Sequence, residues 1–292
     1  MDARRWTVTE LATTTAGLFR DRGIENARLD ADLLLAEVLG WARIDLYTRF
    51  DMPVEDDDRA RYREFVRRRL RREPLAYILG RRAFLDHDFL VGPGVLIPRP
   101  ETEDLVLTAD RLLEGRPPAR ILEIGVGSGC ILLSLLARRA DASGVGIDLS
   151  TEALEWARKN RSAMGLDERA QLEPGDLFAC RALEAGGEAS FDLIVSNPPY
   201  ITEAERDDLM PDVRDFEPAA ALFDRDPSGL GFHRRILEEG RAYLKPDGAF
   251  VFELPGRGGD DLVRHLASTQ PALQPSVRQD LAGLDRVFVA SR

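Results

Sequence analysis

Apolar residues along this chain follow two different periods. Up to about residue 80 they recur at helical spacing. "TELATTTAGLFRDRG" opens with a Thr cap and ends at Gly23. "RLDADLLLAEVLG" places Leu29, Leu33, Leu34 and Val38 on one face and stops at Gly40. "DDDRARYREFVRRRLRREP" begins with acids, which suit the positive end of a helix, and stops before Pro74. These segments predict a small helical bundle over residues 1–82. The short apolar runs of "AFLDHDFLVGPGVLIPRP", broken at "LDH" and "GPG", predict a β-hairpin and extended linker over 83–100. From 101 to 292 strand-like and helix-like runs alternate: "RILEI", "SGCILLSLLARRA", "GVGIDL", "STEALEWARKNRSAMG", "AQLEPGD", "FDLIVS", "GLGFHRRILEEGRAYL" and "GAFVFEL". Such alternation predicts a mostly parallel sheet with helices on both faces. "QPSVRQDLAGLDRVFVASR" then reads as two strands joined by a tight turn at Gly283.

An antiparallel hairpin closing a parallel α/β sheet is the pattern of the seven-stranded, Rossmann-like class I S-adenosylmethionine-dependent methyltransferase domain. The glycine loop bears on that expectation. "LEIGVGSGC" follows a strand and opens a helix, and Gly125, Gly127 and Gly129 let the backbone turn sharply beside a ligand. The spacing is G-x-G-x-G, not the G-x-G-x-x-G of dinucleotide sites, and no phosphate-cradling G-x-x-x-x-G-K-[ST] occurs. Asp148 ends the next strand, about 20 residues on, where an acid can accept from both ribose hydroxyls. Glu123, Gly125, Val126, Gly127, Ser128, Gly129 and Asp148 should therefore meet beyond the carboxyl ends of the strands. Glu123 can attract the ammonium or sulfonium charge of S-adenosylmethionine, Asp176 can face the adenine amino group, and Leu177 its ring.

Length and charge narrow the partners. The 292 residues suit two domains, and 44% hydrophobic with 31% charged residues is the balance of a soluble globular protein. The 40 basic and 51 acidic residues give a net charge of −11, which argues against a global attraction to nucleic acid. Lys159 and Lys245 are the only lysines; every other basic residue is Arg. "MDARRWTVTE" has no apolar core of a signal peptide, and no apolar run reaches the length of a membrane span. Cys130 and Cys180 do not make a disulfide framework, so the cytoplasm is the expected compartment. His87, His233 and His265 lack ligand spacing, and no metal is expected.

"FDLIVSNPPYI" ends a core strand in an amide, two prolines and an aromatic ring. A nitrogen conjugated to a carbonyl or aromatic ring is a poor nucleophile because its lone pair is delocalised. Methylating it requires the lone pair to be held in line with the methyl group. The Asn197 side-chain carbonyl and the Pro198 backbone carbonyl can accept both hydrogens of a planar NH2. Pro198 and Pro199 stiffen the backbone so that both acceptors point one way, and Tyr200 can stack on the planar group. Catalysis is then positioning and electrostatics, assigned to Asn197, Pro198 and Tyr200. By itself the motif admits the amino groups of adenine and guanine and the amide of glutamine.

"EPLAYILG", "VLIPRPETEDLV", "EIGVGSG" and "VSNPPYI", in that order, closely resemble the HemK/PrmC family, and the similarity runs from "RLDADLLLAEVLG" to "DLAGLDRVFVAS". The segment "FEPAAALFDRDPSGLGFHRRIL" is also similar. The resemblance implies an S-adenosylmethionine-dependent methyltransferase that modifies the glutamine of the Gly-Gly-Gln motif in peptide chain release factors, with S-adenosylhomocysteine as the product. It implies cofactor contacts at Gly125 to Gly129, Asp148, Leu177 and Asn197, and substrate contacts at Asn197, Pro198, Pro199 and Tyr200. Arg99, Thr102 and Glu103 of "IPRPETE" are expected to close over the cofactor. "ELPGRGGDD" departs from the family's Glu-x-Gly followed by Gln, and Leu177 stands where some members carry an aromatic residue.

Two other readings remain at this level. A nucleic-acid amino methyltransferase shares the "NPPY" logic but needs a basic recognition face, for which only the Arg-rich segment between Arg59 and Arg72 is available. A binding module that kept the fold without catalysis would not need the intact "NPPY". The bundle is expected to recognise a folded release factor, with Arg67, Arg68, Arg71 and Arg72 meeting acidic residues of that partner.

Overall fold

The computed structural model describes residues 5–116, 118–186 and 189–292. They gather into two compact units, Met1–Gly80 with Met210–Phe216, and Arg81–Leu209 with Glu217–Arg292.

The first unit is helical: α1 Val8–Asp21, α2 Ala27–Leu39, α3 Asp45–Thr48, α4 Asp56–Leu70 and α5 Leu75–Leu79. The cap of α1 is Thr7, not the threonine that heads "TELATTTAGLFRDRG". Thr7 and Glu10 form a reciprocal capping box, in which the Thr7 hydroxyl accepts from the Glu10 amide at 3.3 Å and the Glu10 carboxylate from the Thr7 amide at 3.0 Å. The inner face of α2 is Ala27, Ala31, Leu34, Leu35 and Val38, packed against Phe19, Tyr62 and Val66, while Leu29 is exposed. The expected Leu29 and Leu33 stripe is displaced because two acids of the same helix turn inward. Asp30 binds Arg69 at 2.7 Å, and Asp32 binds Arg28 at 2.8 Å and the Tyr47 hydroxyl at 2.6 Å.

Arg69 is the centre of this unit's ionic core. It reaches Asp30 and Asp212, both at 2.7 Å, and donates to the Glu73 carbonyl at 3.0 Å; Arg72 reaches the other Asp212 oxygen at 2.6 Å. A segment distant in sequence, Met210–Phe216, thereby belongs to the helical unit. The bundle's continuous part ends at Gly80, φ +72°, and the hairpin that follows is grouped with the second unit. Arg68 is also committed internally, to both Glu73 oxygens at 2.9 and 2.5 Å. Of the four arginines expected to face a partner, Arg67 and Arg71 are exposed, Arg67 beside Glu64 at 3.5 Å, and Arg68 and Arg72 are held in less exposed ion pairs.

The second unit opens with the hairpin β1 Arg81–Phe84 and β2 His87–Leu90, then α6 Thr102–Leu112. Next come β3 Arg120–Ile124, α7 Cys130–Arg138, β4 Ser143–Asp148, α8 Thr151–Ala163, β5 Ala170–Pro174, α9 Arg181–Gly186 and β6 Phe191–Ser196. Beyond β7 Ile201–Thr202, α10 Pro211–Arg214 of the first unit, α11 Ala219–Leu222 and β8 Phe223–Asp224 lie the last core elements. These are α12 Gly231–Gly240, β9 Leu244–Gly256, α13 Gly259–Thr269, β10 Gln274–Gln279 and β11 Asp285–Ser291. The main sheet has the order β10-β11-β9-β6-β3-β4-β5; every neighbouring pair from β9 to β5 is parallel, and β11 is antiparallel to both of its neighbours. This is the seven-stranded arrangement expected from the alternation. Successive residues of β6 explain its unbroken apolar run, because Leu193 and Val195 enter one core and Ile194 the other. Among the described residues no helix is long and apolar enough to cross a membrane. Cys130 and Cys180 are both free and buried.

Removing one partner from a buried ion cluster leaves an uncompensated charge. Arg69→Met is expected to destabilise the protein by about 3–5 kcal/mol in denaturant unfolding. Burial already holds the Asp30 carboxyl above its usual range, against the pull of Arg69. Without Arg69 it rises further, so the folded state binds this proton more tightly than the unfolded state does. The defect is therefore largest at neutral pH and shrinks as the pH falls toward the ordinary Asp value of about 3.9.

Candidate active site

The strand order reverses between β3 and β6: the chain leaves β3 toward β4 and β5, then returns to β6 and β9. Loops diverge at such a point and leave a crevice at the carboxyl ends of the strands. A cavity of about 480 Å³ lies there. Its floor is the glycine loop from Gly125 to Ser128, while Gly129 faces Leu133 and Ala157 instead of the cavity. Gly125, Gly127 and Gly129 have φ of +73°, +56° and +83°, the left-handed region that other residues avoid. The amides of Gly125 and Val126 both donate to the Ile147 carbonyl, at 2.8 and 3.0 Å, which seats the loop on the end of β4. Val126 packs so close to β4 that a Cβ on Gly146 would lie 2.7 Å from its side chain.

Asp148 locks this arrangement, its two oxygens accepting from the Gly127 and Ser150 amides at 2.8 Å each. Each oxygen keeps a lone pair for a ligand. Burial pushes the Asp148 carboxyl above its usual range, against those amide bonds. Glu123 is only 1% exposed, lines the cavity, and accepts from the Leu132 amide at 2.9 Å in the first turn of α7. Burial drives its carboxyl well above the ordinary range, and the nearby Asp148 charge pushes the same way. Two acids strained toward neutrality by their surroundings suit a cationic ligand, whose charge restores their ionised form. Ser128, Asp176 and Leu177 also line the cavity. Leu177 stands in the left-handed region at φ +51°, a strained backbone at the wall of the site.

Asn197, Pro198 and Pro199 form a second wall. Ser196 donates to the Ile124 carbonyl at 2.7 Å, tying the end of β6 to that of β3. Asn197 Nδ2 donates to Thr102 Oγ1 at 3.2 Å, and Thr102 donates to Glu253 Oε2 at 2.5 Å. The Tyr200 hydroxyl donates to Glu253 Oε1 at 3.3 Å. Among the described residues that line the cavity, Tyr200 is not one; its hydroxyl turns toward Glu253 instead. That bond engages the hydroxyl at the edge of the ring; stacking of its face on a planar group is a proposal.

Glu253, which sequence reasoning passed over, is 2% exposed. Burial before all else raises its carboxyl to about 7, while the Thr102 and Tyr200 hydrogen bonds oppose the shift. The available signal was an acid at the end of the apolar run "GAFVFEL", since a charge inside a central strand must be buried. Of "IPRPETE", Pro98, Arg99 and Thr102 line the cavity. Glu103 does not: it accepts from the Leu85 amide at 3.0 Å and holds the turn of the β1–β2 hairpin. Glu217 was also missed. It accepts from the Ile97 amide at 3.0 Å and from Arg99 at 2.6 Å, which brings Pro218 to Ala221 onto the cavity wall.

The sheet order with its one reversed strand, the glycine loop and the acid at the next strand end define a class I methyltransferase domain. A family model described as "Methyltransferase domain" matches residues 121–216. The crystal structure of a methyltransferase from Pyrococcus furiosus shares the fold with a TM-score of 0.50 at 17% identity, over 72% of this chain and 90% of that one. A model described as "PrmC N-terminal domain" matches residues 10–80. The release factor glutamine methyltransferase of Geobacter sulfurreducens is 41% identical over 282 residues, 97% of this chain and 95% of the relative. That of Nitratidesulfovibrio vulgaris is 42% identical over 270 residues, 92% and 90% of the two chains. The chain belongs to the release factor glutamine methyltransferase family.

Asp148 both shapes the loop and offers free lone pairs, so its loss acts twice on the cofactor. Asp148→Ala is expected to weaken S-adenosylmethionine binding by about 1.5–3 kcal/mol, roughly 10- to 100-fold. Calorimetry on the folded variant checks it, and an unchanged affinity removes Asp148 from the site.

Proposed function

We propose that this protein transfers the methyl group of S-adenosylmethionine to the side-chain amide nitrogen of the glutamine in the Gly-Gly-Gln motif of peptide chain release factors, leaving S-adenosylhomocysteine. The observation that carries the reading is the Asn197 amide. Thr102 takes its Nδ2, so Oδ1 is left to accept from an incoming NH2. The donor, when bound, supplies a methyl group made electrophilic by the sulfonium.

The protein's own residues do the rest. Asn197 Oδ1 and the Pro198 carbonyl hold the two N–H bonds of the glutamine amide and turn its lone pair toward the methyl group. Pro198 and Pro199 remove backbone freedom that would let those acceptors diverge. As positive charge grows on the nitrogen, the same two oxygens stabilise it, and the nitrogen becomes acidic enough to lose its proton without a strong base. Glu123 faces the positive end of the donor, Asp148 its ribose hydroxyls, Asp176 and Leu177 its adenine, and Gly125, Val126, Gly127, Ser128 and Gly129 approach it through backbone. The reaction is placed in the cytoplasm, in keeping with two free cysteines.

Tritiated methyl transfer to purified release factors, with DNA and ribosomal RNA as competitors, tests the reading. Label should enter the release factor glutamine alone, and label in nucleic acid would favour the adenine or guanine reading. Asn197→Ala should abolish most of this turnover while leaving folding stability nearly intact, since its contact is realised mainly in the transition state. A kcat within a factor of about two of the wild type would remove Asn197 from that role.

One glutamine is too small a target to be chosen among all glutamines, and a specific complex needs surface beyond the pocket. The helical unit supplies that surface in this reading, with Arg67 and Arg71 as its exposed cations. A double charge reversal, Arg67→Glu with Arg71→Glu, should slow methylation of the intact release factor, with the defect fading at high salt. Methylation of a short Gly-Gly-Gln peptide should not change. Equal effects on both substrates, or none on either, would place recognition elsewhere.

A further inference from the structure

The geometry points to Glu253 as a positioning residue for the methyl transfer: through Thr102 it dictates which end of the Asn197 amide faces the substrate. This rests on the function proposed above and adds a residue to it. The argument follows the hydrogens. An amide presents a carbonyl at one end and an NH2 at the other, and a half-turn exchanges them at little steric cost. Turned the wrong way, Asn197 would face the substrate NH2 with its own NH2, donor against donor. Something must set the orientation, and Asn197 contacts the Thr102 hydroxyl.

A hydroxyl has one hydrogen. Thr102 commits it to Glu253 Oε2, because a carboxylate can only accept. Toward Asn197 the same hydroxyl can then only accept, so it selects Nδ2 and leaves Oδ1 for the cavity. Tyr200 commits its own hydrogen to the other Glu253 oxygen. The carboxylate therefore fixes two donors at once and passes its acceptor character to Asn197 across one hydroxyl.

A protonated Glu253 reverses this logic. Its O–H can donate to Thr102, whose hydrogen is then free to reach Asn197 Oδ1 and hold the amide the wrong way round. Burial brings this carboxyl to about 7, so the ionised form dominates only above neutrality. Glu101 and Arg286 act on it from opposite signs, raising and lowering it respectively. Tyr200 and the Cys130 thiol are both pushed upward by burial and stay protonated. His233, which meets the Glu253 backbone carbonyl at 2.8 Å, is driven down to about 4 by burial and stays neutral.

The test compares turnover, donor affinity and pH dependence in folded variants. For the wild type acting on intact release factor, kcat should fall below about pH 7 by roughly one decade per pH unit. Glu253→Gln keeps the shape but turns one of its two acceptors into a donor. Its kcat at pH 8 should drop about 10- to 100-fold, the KM for release factor should barely move, and the inflection should vanish. Calorimetric affinity for S-adenosylmethionine should be unchanged, because Glu253 is not on the cavity wall. Thr102→Val should copy the fall in kcat and the loss of the inflection, while Thr102→Ser, which restores the hydroxyl, should recover turnover and inflection together. The Thr102 pair decides the matter alone if Glu253→Gln does not fold. A Glu253→Gln enzyme with wild-type kcat overturns the proposal, as do Thr102→Val losses that keep the inflection near neutrality. A wild-type protein that fails to methylate release factor sinks the functional reading instead, a separate outcome.

Discussion

A carboxylate taken out of water must be matched by donors, and this molecule buries two of them near the ends of β3 and β9, the two strands that flank β6. Glu123 is the last residue but one of β3 and Glu253 lies near the end of β9, with Ser196 on the intervening β6. The donors that satisfy these acids are the parts a methyl-transfer site needs. Glu123 takes the first-turn amide of α7, fixing the helix that the glycine loop opens. Glu253 takes Thr102 and Tyr200, fixing the opposite wall. An apolar residue at either place would pack more comfortably and leave those donors without direction, because hydrophobic contact has no orientation.

The same principle shapes the helical unit for a different end. There the buried Asp30 and the partly buried Asp212 are matched by arginine, whose planar fork serves several oxygens at once. The outcome is structural, since it secures a distant segment, Met210–Phe216, to the bundle. Glu217 acts comparably just beyond it, joining Arg99 and the Ile97 backbone to the chain that completes the cavity wall.

Much of this was legible from local pattern. The alternation of strands and helices, the glycine loop, Asp148 and "NPPY" each depend on a few adjacent residues, so each leaves a short signature. Glu123, Asp148, Asp176, Leu177, Asn197, Pro198 and Pro199 do share one cavity. Tyr200 carries both an aromatic ring and a hydroxyl, and only the position of Glu253 shows which partner the hydroxyl takes. Leu29 misled for a related reason: periodicity shows that a helix has an inner face, but a buried acid with a distant arginine can rotate that face.

The sequence by itself determined the elements, their order and the chemistry offered at the strand ends, because propensity, turn geometry and burial pattern act over a few residues. Tertiary structure alone decided how that chemistry is aimed. Thr102, Asn197 and Glu253 are separated by 95 and 56 positions along the chain, and no local pattern records that their side chains meet. The direction of each hydrogen in that chain follows from which neighbour can only accept, a property of the assembled site and not of any residue within it.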